Sequence, residues 1–512
     1  MSIASPVTIA PDVIAPSAAP LRGDSLATGV AVMLVLNIVQ RGVGFIRGLL
    51  FCRFLGDAAL GQFSLATSFL MLAAPLMVLG LPGSFGRYIE YYRQRGQLQA
   101  YLRKMTLVTM VLSGLGILAM SCFAETLTVW VFDDPAQLRL MMYSLATLGL
   151  VGAFNFLNEL LTALRQVRAL SWMQLVNSLA FTVVGLLLVI VWESSAEAVV
   201  LAYAISCIAA VLALAPWWGV IKAEFTHDQK ALSSRDAWTK LLPFAAWVWL
   251  TNLITNVSDF VDRFMILHVS GLDSHAGQAL VGQYHSSRVI PVLLATLGMT
   301  IAGIVLPHWS HAWESGQRTK VSAQVNLSVK LVAILFSAAS LLVMAGSPIL
   351  FGWMLGGKYD DGLAALPWAL VGAIWFAMLI VGQNYLLCVE KAKLVTAACL
   401  LGVPINIGLN YPALAAGLPA IMAARGVATL ATAVVIFGCS SYLGLKWSRG
   451  LSIALFLPLL VLAGAPLGCA ILLAVLVIDW RTRWLFDRDE EQQLVAMAMQ
   501  SWNKLTQRFL AK

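Results

Sequence analysis

Charged residues are scarce in this sequence. Asp, Glu, Lys and Arg together make up 11% of its 512 residues, whereas a soluble domain is about one quarter charged. Hydrophobic residues reach 60%, so there is too little polar surface to cover several water-soluble cores, and the apolar surplus has to face lipid. This balance excludes a cytosolic enzyme, a secreted disulfide scaffold and a disordered protein.

Cysteine pairs and catalytic motifs are also missing. The seven cysteines lie in or beside apolar runs and none belongs to a CxxC pair, which is typical of small core residues. No HExxH, GxSxG or GxGxxG motif occurs in a usable context. His308 and His311 have the spacing of two metal ligands, but packing is the favoured interpretation. We therefore predict no enzyme activity, no cofactor and no metal; any transport has to run on an ion gradient, the membrane potential or the substrate gradient.

The net charge of +8 comes from 33 Lys and Arg against 25 Asp and Glu. A nucleic-acid binder would gather such charge into one patch or stripe. Here the basic residues are spread over short loops between apolar runs, so the pattern indicates membrane topology, and no nucleic-acid partner is expected.

Twelve apolar runs have the length of about 20 residues that a membrane-crossing helix needs. They must be helices, because a backbone in lipid has to satisfy its own hydrogen bonds. The runs are 27–52, 58–81, 105–123, 139–163, 170–192, 196–219, 241–268, 280–306, 324–346, 364–388, 393–414 and 423–444.

Basic residues follow the even-numbered runs, while the loops between them carry acidic residues such as Glu125 and Glu193. Because Lys and Arg are enriched in cytoplasmic loops, this asymmetry places the N-terminus and residues 445–450 in the cytosol. The basic residues are Arg87, Arg93, Arg95, Arg103, Lys104, Arg165, Arg168, Lys222, Lys230, Arg235, Lys240, Arg318, Lys320, Lys391, Lys393, Lys446 and Arg449.

One more apolar stretch, 451–478, is broken around Gly464 and has basic residues on both sides. A single crossing would leave one basic flank outside, whereas a hairpin of two short spans or a re-entrant pair keeps both inside. The hairpin is favoured and gives about fourteen helices in all. The tail from Asp487 fits either an amphipathic helix on the membrane surface, with an apolar face from Leu494 to Phe509, or a solvated tail. The predicted organisation is a disordered cytosolic tail (1–25), an N-lobe of six helices (26–220), a cytosolic linker (221–240), a C-lobe of six helices (241–445), an apolar hairpin (446–480) and a cytosolic amphipathic tail (481–512).

A weak internal repeat relates the two lobes. Residues 59–63 (ALGQF) open the second run, and residues 279–284 (ALVGQY) open the eighth. Transporters commonly place the substrate between such repeats, so a binding site between the lobes is predicted.

Two arginines lie inside the first run. Asn37 and Arg41 begin a helical stripe that continues through two glycines, and Arg47 lies beside it. No acidic residue in the run neutralises them, and paired guanidiniums suit a diphosphate, because Arg binds phosphate bidentately and stays charged. The alternative is that they snorkel or pair with a carboxylate on another helix, for which Glu159 in the fourth run is the candidate.

The seventh run carries a polar face. Two interpretations are open: a self-neutralised Asp259–Arg263 pair at i, i+4, or a polar cavity lining in which Asp259 or Asp262 binds a cation or a proton. Arg288 in the eighth run either pairs with Asp262 or faces the same cavity. The face consists of Asn252, Asn256, Asp259 and Arg263, flanked by Thr255 and Asp262.

Motifs in both halves, in this order, resemble the multidrug/oligosaccharidyl-lipid/polysaccharide exporter (MOP) superfamily. Within it, the chain is similar to the bacterial polysaccharide-transporter branch, which includes O-antigen-type flippases. The resemblance covers about residues 26–445. Its motifs are 41–47 (RGVGFIR), 53–56 (RFLG), 61–63 (GQF), 79–82 (LGLP), Arg87-Tyr88, Asp262-Arg263, 282–284 (GQY), Pro307 with Ser310, and Asn406 with Asn410.

The resemblance implies two six-helix bundles around a central V-shaped cavity. With the apolar runs, the predicted fold is an all-α polytopic membrane protein with one or two extra C-terminal helices, about 12–14 transmembrane helices in all. Lipid II flippases of the superfamily have arginines at the positions of Arg41, Arg47 and Arg288, which line the cavity and are implicated in binding the lipid diphosphate. They also have a basic residue in the second helix, which 58–81 lacks, and an acid where Ser287 stands. A different lipid-linked sugar is therefore expected.

The leading hypothesis is a flippase that moves polyprenyl-diphosphate-linked oligosaccharide across the bacterial cytoplasmic membrane by alternating access, for cell-surface polysaccharide synthesis. Its expected partners are this lipid-linked substrate, membrane lipid, and a polysaccharide polymerase or glycosyltransferases. The alternatives are a cation-coupled drug or metabolite antiporter of the same fold and a non-transporting membrane scaffold for a glycan assembly complex. The predicted diphosphate-binding residues are Arg41, Arg47, Arg288 and Asn37, and the predicted lining or ion-site residues are Asn252, Asn256, Asp259, Asp262, Arg263 and Glu159.

Overall fold

The computed structural model describes residues 26–219, 234–354, 357–488, 490–492 and 499. Within these ranges the side chains of 26–35, 37, 234–237, 240, 241, 243, 244, 248, 251, 353, 354 and 480 are left out. The predicted tail 1–25, most of the linker 221–240 and the apolar face from Leu494 to Phe509 lie outside the described residues. Short 3₁₀ or π turns extend several helices. The helices are α1 (Leu26–Phe54), α2 (Asp57–Val78), α3 (Phe85–Arg93), α4 (Leu98–Cys122), α5 (Ala124–Phe132), α6 (Leu138–Ala163), α7 (Val167–Leu187), α8 (Ala196–Leu212), α9 (Ser234–His268), α10 (Ser274–Glu314), α11 (Arg318–Ile349), α12 (Asp360–Gly382), α13 (Asn384–Cys388), α14 (Ala392–Ala413), α15 (Leu418–Tyr442), α16 (Arg449–Phe456) and α17 (Ala465–Thr482).

The prediction of an all-α polytopic membrane protein is confirmed. Among the described residues, ten helical stretches are long and apolar enough to cross a membrane. α1 and α9 occupy the first and seventh predicted runs and contain 29 and 35 residues. With them, every one of the twelve predicted runs falls on a helix. α10 has 41 residues and a length of about 60 Å, so it extends well beyond a hydrocarbon core of about 30 Å.

The helices pack as two halves, α1–α8 and α9–α15. In the first half, α7 packs against α1 and α8, and α6 packs against α8 and α2. In the second half, α12 lies between α10, α11 and α15. α2 joins the halves, because it packs against both α10 and α9 of the second half. The interface between the halves therefore runs along α2, α9 and α10.

The internal repeat forms the crossing between the halves at the predicted extracytoplasmic end. A methyl group added to Gly61 of α2 would overlap the backbone carbonyl oxygen of Gln278, and one added to Gly282 of α10 would overlap that of Asp57. The contact is reciprocal, because Asp57 and Gln278 hold the same position in the two repeats. Small residues allow helices to approach this closely, so this crossing requires glycine on both sides.

Side-chain hydrogen bonds repeat the same reciprocal pattern. Gln62 Nε2 donates to Gln278 Oε1 at 2.9 Å, and Gln283 Nε2 donates to Asp57 Oδ2 at 2.6 Å. Gln62 and Gln283 are again equivalent positions of the repeat. Each glutamine thus ties its own helix to the start of the other.

The loops beside this crossing also join the halves. Ser274 Oγ donates to the carbonyl oxygen of Asp133 at 2.5 Å. His268 Nε2 lies 2.8 Å from the carbonyl oxygen of Trp130, and the Trp130 ring stacks on Phe260 with centroids 5.2 Å apart. The conformation described is therefore closed at this end.

The apolar segment after α15 turns back on itself. α16 continues into a 3₁₀ stretch, Leu457–Ala463, and the chain reverses at Gly464, whose φ is +81°. Gly468 then lies so close to Leu460 that a Cβ would come within 2.6 Å of its carbonyl oxygen, and Gly450 lies against the Leu485 backbone. Both ends of the segment therefore lie on the same side, as a hairpin requires.

A buried ion pair attaches the residues after the hairpin to α11. Lys330 has no exposed side-chain surface, and its Nζ lies 2.7 and 2.9 Å from the two carboxylate oxygens of Glu490, whose side chain is 7% exposed. Glu490 Oε2 also accepts the Asp487 backbone N–H at 3.0 Å. Glu490, at the acidic start of the predicted cytosolic tail, therefore neutralises Lys330, which lies inside a predicted apolar run.

Glu490→Gln is expected to lower the free energy of unfolding by about 2–3 kcal/mol, because the Lys330 ammonium stays buried without a counter-ion. Thermal unfolding of the full chain in detergent measures this. Glu491→Gln is the matched control, since Glu491 makes a more exposed pair with Arg483 at 3.6 Å, which is worth less than about 1 kcal/mol. Equal stability losses in the two variants would show that the buried pair does not hold the tail.

Candidate functional site

Asp262 of α9 is the anchor of a polar network inside the second half. Its side chain is fully buried and accepts hydrogen bonds from Tyr284 Oη at 2.6 Å, Asn406 Nδ2 at 2.6 Å and Asn410 Nδ2 at 2.8 Å. It also forms an ion pair with Arg425 of α15. Donors from α10, α14 and α15 converge on this one carboxylate, so it fixes the packing of four helices.

Asp259 lies one turn earlier on α9 and holds two arginines. Its carboxylate accepts Arg288 Nη2 of α10 at 3.2 Å and also pairs with Arg425. The Asp259 side chain is 47% exposed, against 18% for Arg288 and 25% for Arg425. The carboxylate is therefore the accessible member of this cluster.

Arg263 does not form the predicted i, i+4 ion pair with Asp259. Its Nη1 donates to the backbone carbonyl oxygen of Asp259 at 2.6 Å, and its Nε donates to Ser64 Oγ of α2 at 2.8 Å. The Asp259 carboxylate is already occupied by arginines from two other helices. Pairing of Arg288 with Asp262 was one of two predicted alternatives; its direct ion pair is with Asp259 instead.

The contact to Ser64 directs this face of α9 toward the first half. His285 of α10 reaches the same hydroxyl, with Nδ1 and Ser64 Oγ 3.1 Å apart. Further along α9, Asn252 is exposed and Asn256 is half-buried. Amide side chains at membrane depth are stable beside water or protein rather than lipid, so we infer that this face lines an aqueous space between the halves.

The cluster carries a net positive charge. Arg263, Arg288 and Arg425 supply three guanidiniums, against the two carboxylates of Asp259 and Asp262. Hydrated space bounded by fixed guanidiniums attracts anions, and guanidinium donors match phosphate oxygens in pairs.

The arginines of α1 lie apart from this cluster. Arg47 Nη1 is 3.5 Å from the Ser178 carbonyl oxygen, and its guanidinium lies 4.3 Å from the Phe181 ring centroid, so the side chain packs on α7. Arg41 is half-buried and, within the described residues, makes no ion pair or hydrogen bond. The Asn37 side chain lies outside the described residues. The structure thus brings Arg288 into the cluster but not Arg41 or Arg47.

Glu159 forms no ion pair with Arg41 or Arg47 in the part of the chain that is described. The neighbouring Asn158 instead accepts a hydrogen bond from Gln174 Nε2 at 2.7 Å. Gln174 in turn offers its carbonyl oxygen to Gln40 Nε2 at 3.2 Å. Neutral amides, rather than a carboxylate, make this polar link between α6, α7 and α1.

Arg425 is the main residue that the sequence analysis missed. It is an arginine near the start of the predicted run 423–444, so the rule that flagged Arg288, an ionisable group at membrane depth, applies to it equally. Lys330 was missed in the same way. Asn406 and Asn410 appeared only as part of the family resemblance. Their four-residue spacing predicted no function, whereas in the structure both side-chain amides donate to Asp262.

The fold is shared with solved membrane transporters and with a lipid flippase. The lipid II flippase MurJ, in an inward closed conformation, has a TM-score of 0.65 at 12% identity over 88% of this chain and 99% of that chain. An inward-facing multidrug resistance MATE family transporter has a TM-score of 0.63 at 13% identity over 81% of this chain and 95% of that chain.

A MOP superfamily transporter from Pyrococcus furiosus, described as having a binding pocket of reverse polarity, has a TM-score of 0.59 at 13% identity over 83% of this chain and 95% of that chain. At these identities the likeness establishes the fold alone. Together with the two family models that match the chain, it confirms the MOP superfamily that the sequence motifs indicated.

The chain belongs to the polysaccharide biosynthesis protein family, whose model matches residues 26–313. A second family model, MatE, matches residues 248–412. No curated protein sequence matches the chain. The class is therefore a membrane transporter or flippase of this family.

Proposed function

We propose that the protein is a flippase for a polyprenyl-diphosphate-linked oligosaccharide. The observation that carries the proposal is the net positive cluster of Arg263, Arg288 and Arg425, which gathers around Asp259 and Asp262 of α9. The family assignment and the fold shared with a lipid II flippase support the same substrate class.

The chemistry of such a lipid explains the need for the cluster. A diphosphate cannot cross hydrocarbon without replacing its hydration, because burying unpaired charge costs several kcal/mol or more. Arginine forks replace water at phosphate oxygens with directed hydrogen bonds. The sugar head group then passes through the aqueous space between the halves, while the polyprenyl tail stays in lipid.

The crossing of α2 and α10 at Gly61 and Gly282 is the contact that we expect to open and close during transport. With Gly61 packed on Gly282, the predicted extracytoplasmic end is closed. Alternating access requires the two halves to rock around the central site, so this contact has to separate when the head group leaves on that side.

We place the N-terminus in the cytosol of a bacterium, with polysaccharide polymerases or glycosyltransferases acting on the flipped lipid.

A cation-coupled antiporter is the second candidate, and the MatE match together with the exposed carboxylate of Asp259 supports it. An organic cation needs an anionic site. Here both carboxylates already pair with arginines and the cluster is net positive. The charge balance therefore favours an anionic substrate.

Arg288→Ala is expected to reduce flipping of a fluorescent polyprenyl-diphosphate sugar in proteoliposomes at least about tenfold, because it removes one of the three guanidiniums proposed to bind the diphosphate. Arg318→Ala, which removes an exposed arginine at the start of α11, is the control. Equal flipping by both variants, at matched reconstituted amounts, would reject the cluster as the diphosphate site.

A further inference from the structure

Asp259 and Asp262 are one turn apart and share Arg425, yet their surroundings differ. Asp262 is fully buried and held by three neutral donors as well as the arginine. The Asp259 side chain is 47% exposed and, among the described residues, its carboxylate binds Arg425 and Arg288 only. Asp262 is therefore held by several partners. Asp259 has fewer partners and more exposed surface, so its side chain has room to rotate toward solvent and away from both guanidiniums.

Resting on the proposed function, we propose that Asp259 is a tethered competitor of the substrate diphosphate. In the empty site its carboxylate occupies Arg288 and Arg425; an entering diphosphate displaces it from both, and Asp259 reclaims them when the lipid is released. The role of Asp259 is to set the affinity of the site for the diphosphate group.

Electrostatics at membrane depth makes such a group necessary. Without Asp259, Arg288 would have no anionic partner and Arg425 would keep only Asp262, which is unfavourable in a low-dielectric interior,. A carboxylate and a phosphate present the same paired oxygens to an arginine fork, so one can replace the other without rearranging Arg288 or Arg425. The displaced carboxylate gains hydration in the aqueous space, which lowers the cost of the exchange.

The exchange also accounts for release. A site of unopposed arginines would hold a diphosphate too tightly for turnover, because each charge-assisted pair would have to be broken without replacement. When a carboxylate replaces the phosphate, the number of ion pairs stays constant. Removing the Asp259 charge should therefore strengthen binding and slow the transport cycle, whereas a purely structural ion pair would do neither.

The test is binding of geranyl diphosphate and of inorganic pyrophosphate to the full chain in detergent, by titration calorimetry, beside the flipping assay. Asp259→Asn is expected to bind geranyl diphosphate roughly tenfold more tightly than wild type, the change expected if the arginines are free of Asp259 about a tenth of the time. Its flipping rate falls below wild type. Asp259→Glu restores both values toward wild type, and Glu125→Gln, which removes an exposed carboxylate on α5, changes neither.

Asp259→Ser gives the same readout if the Asn variant does not accumulate. Unchanged or weaker diphosphate binding by folded Asp259→Asn, with binding still abolished by Arg288→Ala, would overturn the competitor role and leave the flippase proposal standing. If neither wild type nor Asp259→Asn binds a diphosphate and Arg288→Ala has no effect on flipping, both proposals fail.

Discussion

Replacing Gly61 with valine is expected to abolish the closed contact between the halves and to reduce flipping by about two orders of magnitude or more. Even a methyl group at this position overlaps the Gln278 carbonyl oxygen, which is backbone of α10 and cannot rotate away. α2 and α10 must then separate, and the hydrogen bonds of Gln62 and Gln283 across the crossing are lost with them. The protein is left unable to close this end, so one of the two states that alternating access needs disappears.

Hydrogen–deuterium exchange of the wild-type and variant proteins measures the opening, as faster exchange of amides at the starts of α2 and α10. Because the contact is reciprocal, Gly282→Val should give the same result. Gly303→Val on α10 is the matched control, since no atom lies within 4 Å of a Cβ there. Wild-type exchange and flipping in Gly61→Val would show that the crossing is not a gate.

The second large effect is expected at Asp262. Asp262→Ala removes the shared acceptor of Tyr284, Asn406 and Asn410 and leaves Arg425 with only the exposed carboxylate of Asp259. Removing one partner of a buried ion pair costs about 3–5 kcal/mol, and each stranded buried donor adds to that. We expect a loss of folding stability in this range or above, with transport lost because α9, α10, α14 and α15 no longer share an anchor.

Unfolding of the reconstituted or micellar protein, followed by circular dichroism, gives the stability. Asp361→Ala, at an exposed position in the first turn of α12, is the control and should cost less than about 1 kcal/mol,. A stability loss at Asp262 no larger than at Asp361 would contradict the anchor role.

The spans could be predicted from the sequence because a membrane leaves the backbone almost no alternative to the helix. All twelve apolar runs fall on helices, and the break at Gly464 is where the chain reverses. The weak repeat at 59–63 and 279–284 indicated two related halves. It could not show that the two copies touch, because a reciprocal crossing depends on how whole helices are oriented.

Partners of the intramembrane charges were harder to predict. Spacing along one helix suggested an Asp259–Arg263 pair as one of two interpretations, but the guanidiniums that reach the Asp259 carboxylate come from α10 and α15. The i, i+4 rule describes an isolated helix, and in a bundle an arginine from another helix can satisfy the carboxylate instead. Glu159 is a second example. Its charge made it the candidate partner of the α1 arginines, but hydrogen bonds through the neutral side chains of Asn158, Gln174 and Gln40 link α6 to α1 instead.

Arg41 and Arg47 remain predicted diphosphate ligands from the family resemblance. In this conformation Arg47 is held by Ser178 and Phe181 of α7, and α1 approaches α10 through Gly48, which lies against Val289. That contact places the α1 helix beside Arg288 without bringing its arginines into the cluster.

The most direct test of the account is the substrate class of the wild-type protein. Proteoliposomes would be given a fluorescent polyprenyl-diphosphate-linked sugar and, in parallel, an organic cation dye under a proton or sodium gradient. The account predicts that the lipid-linked sugar is flipped and that the cation is not exported. Gradient-driven export of the cation by folded protein that leaves the lipid on its original side would contradict it.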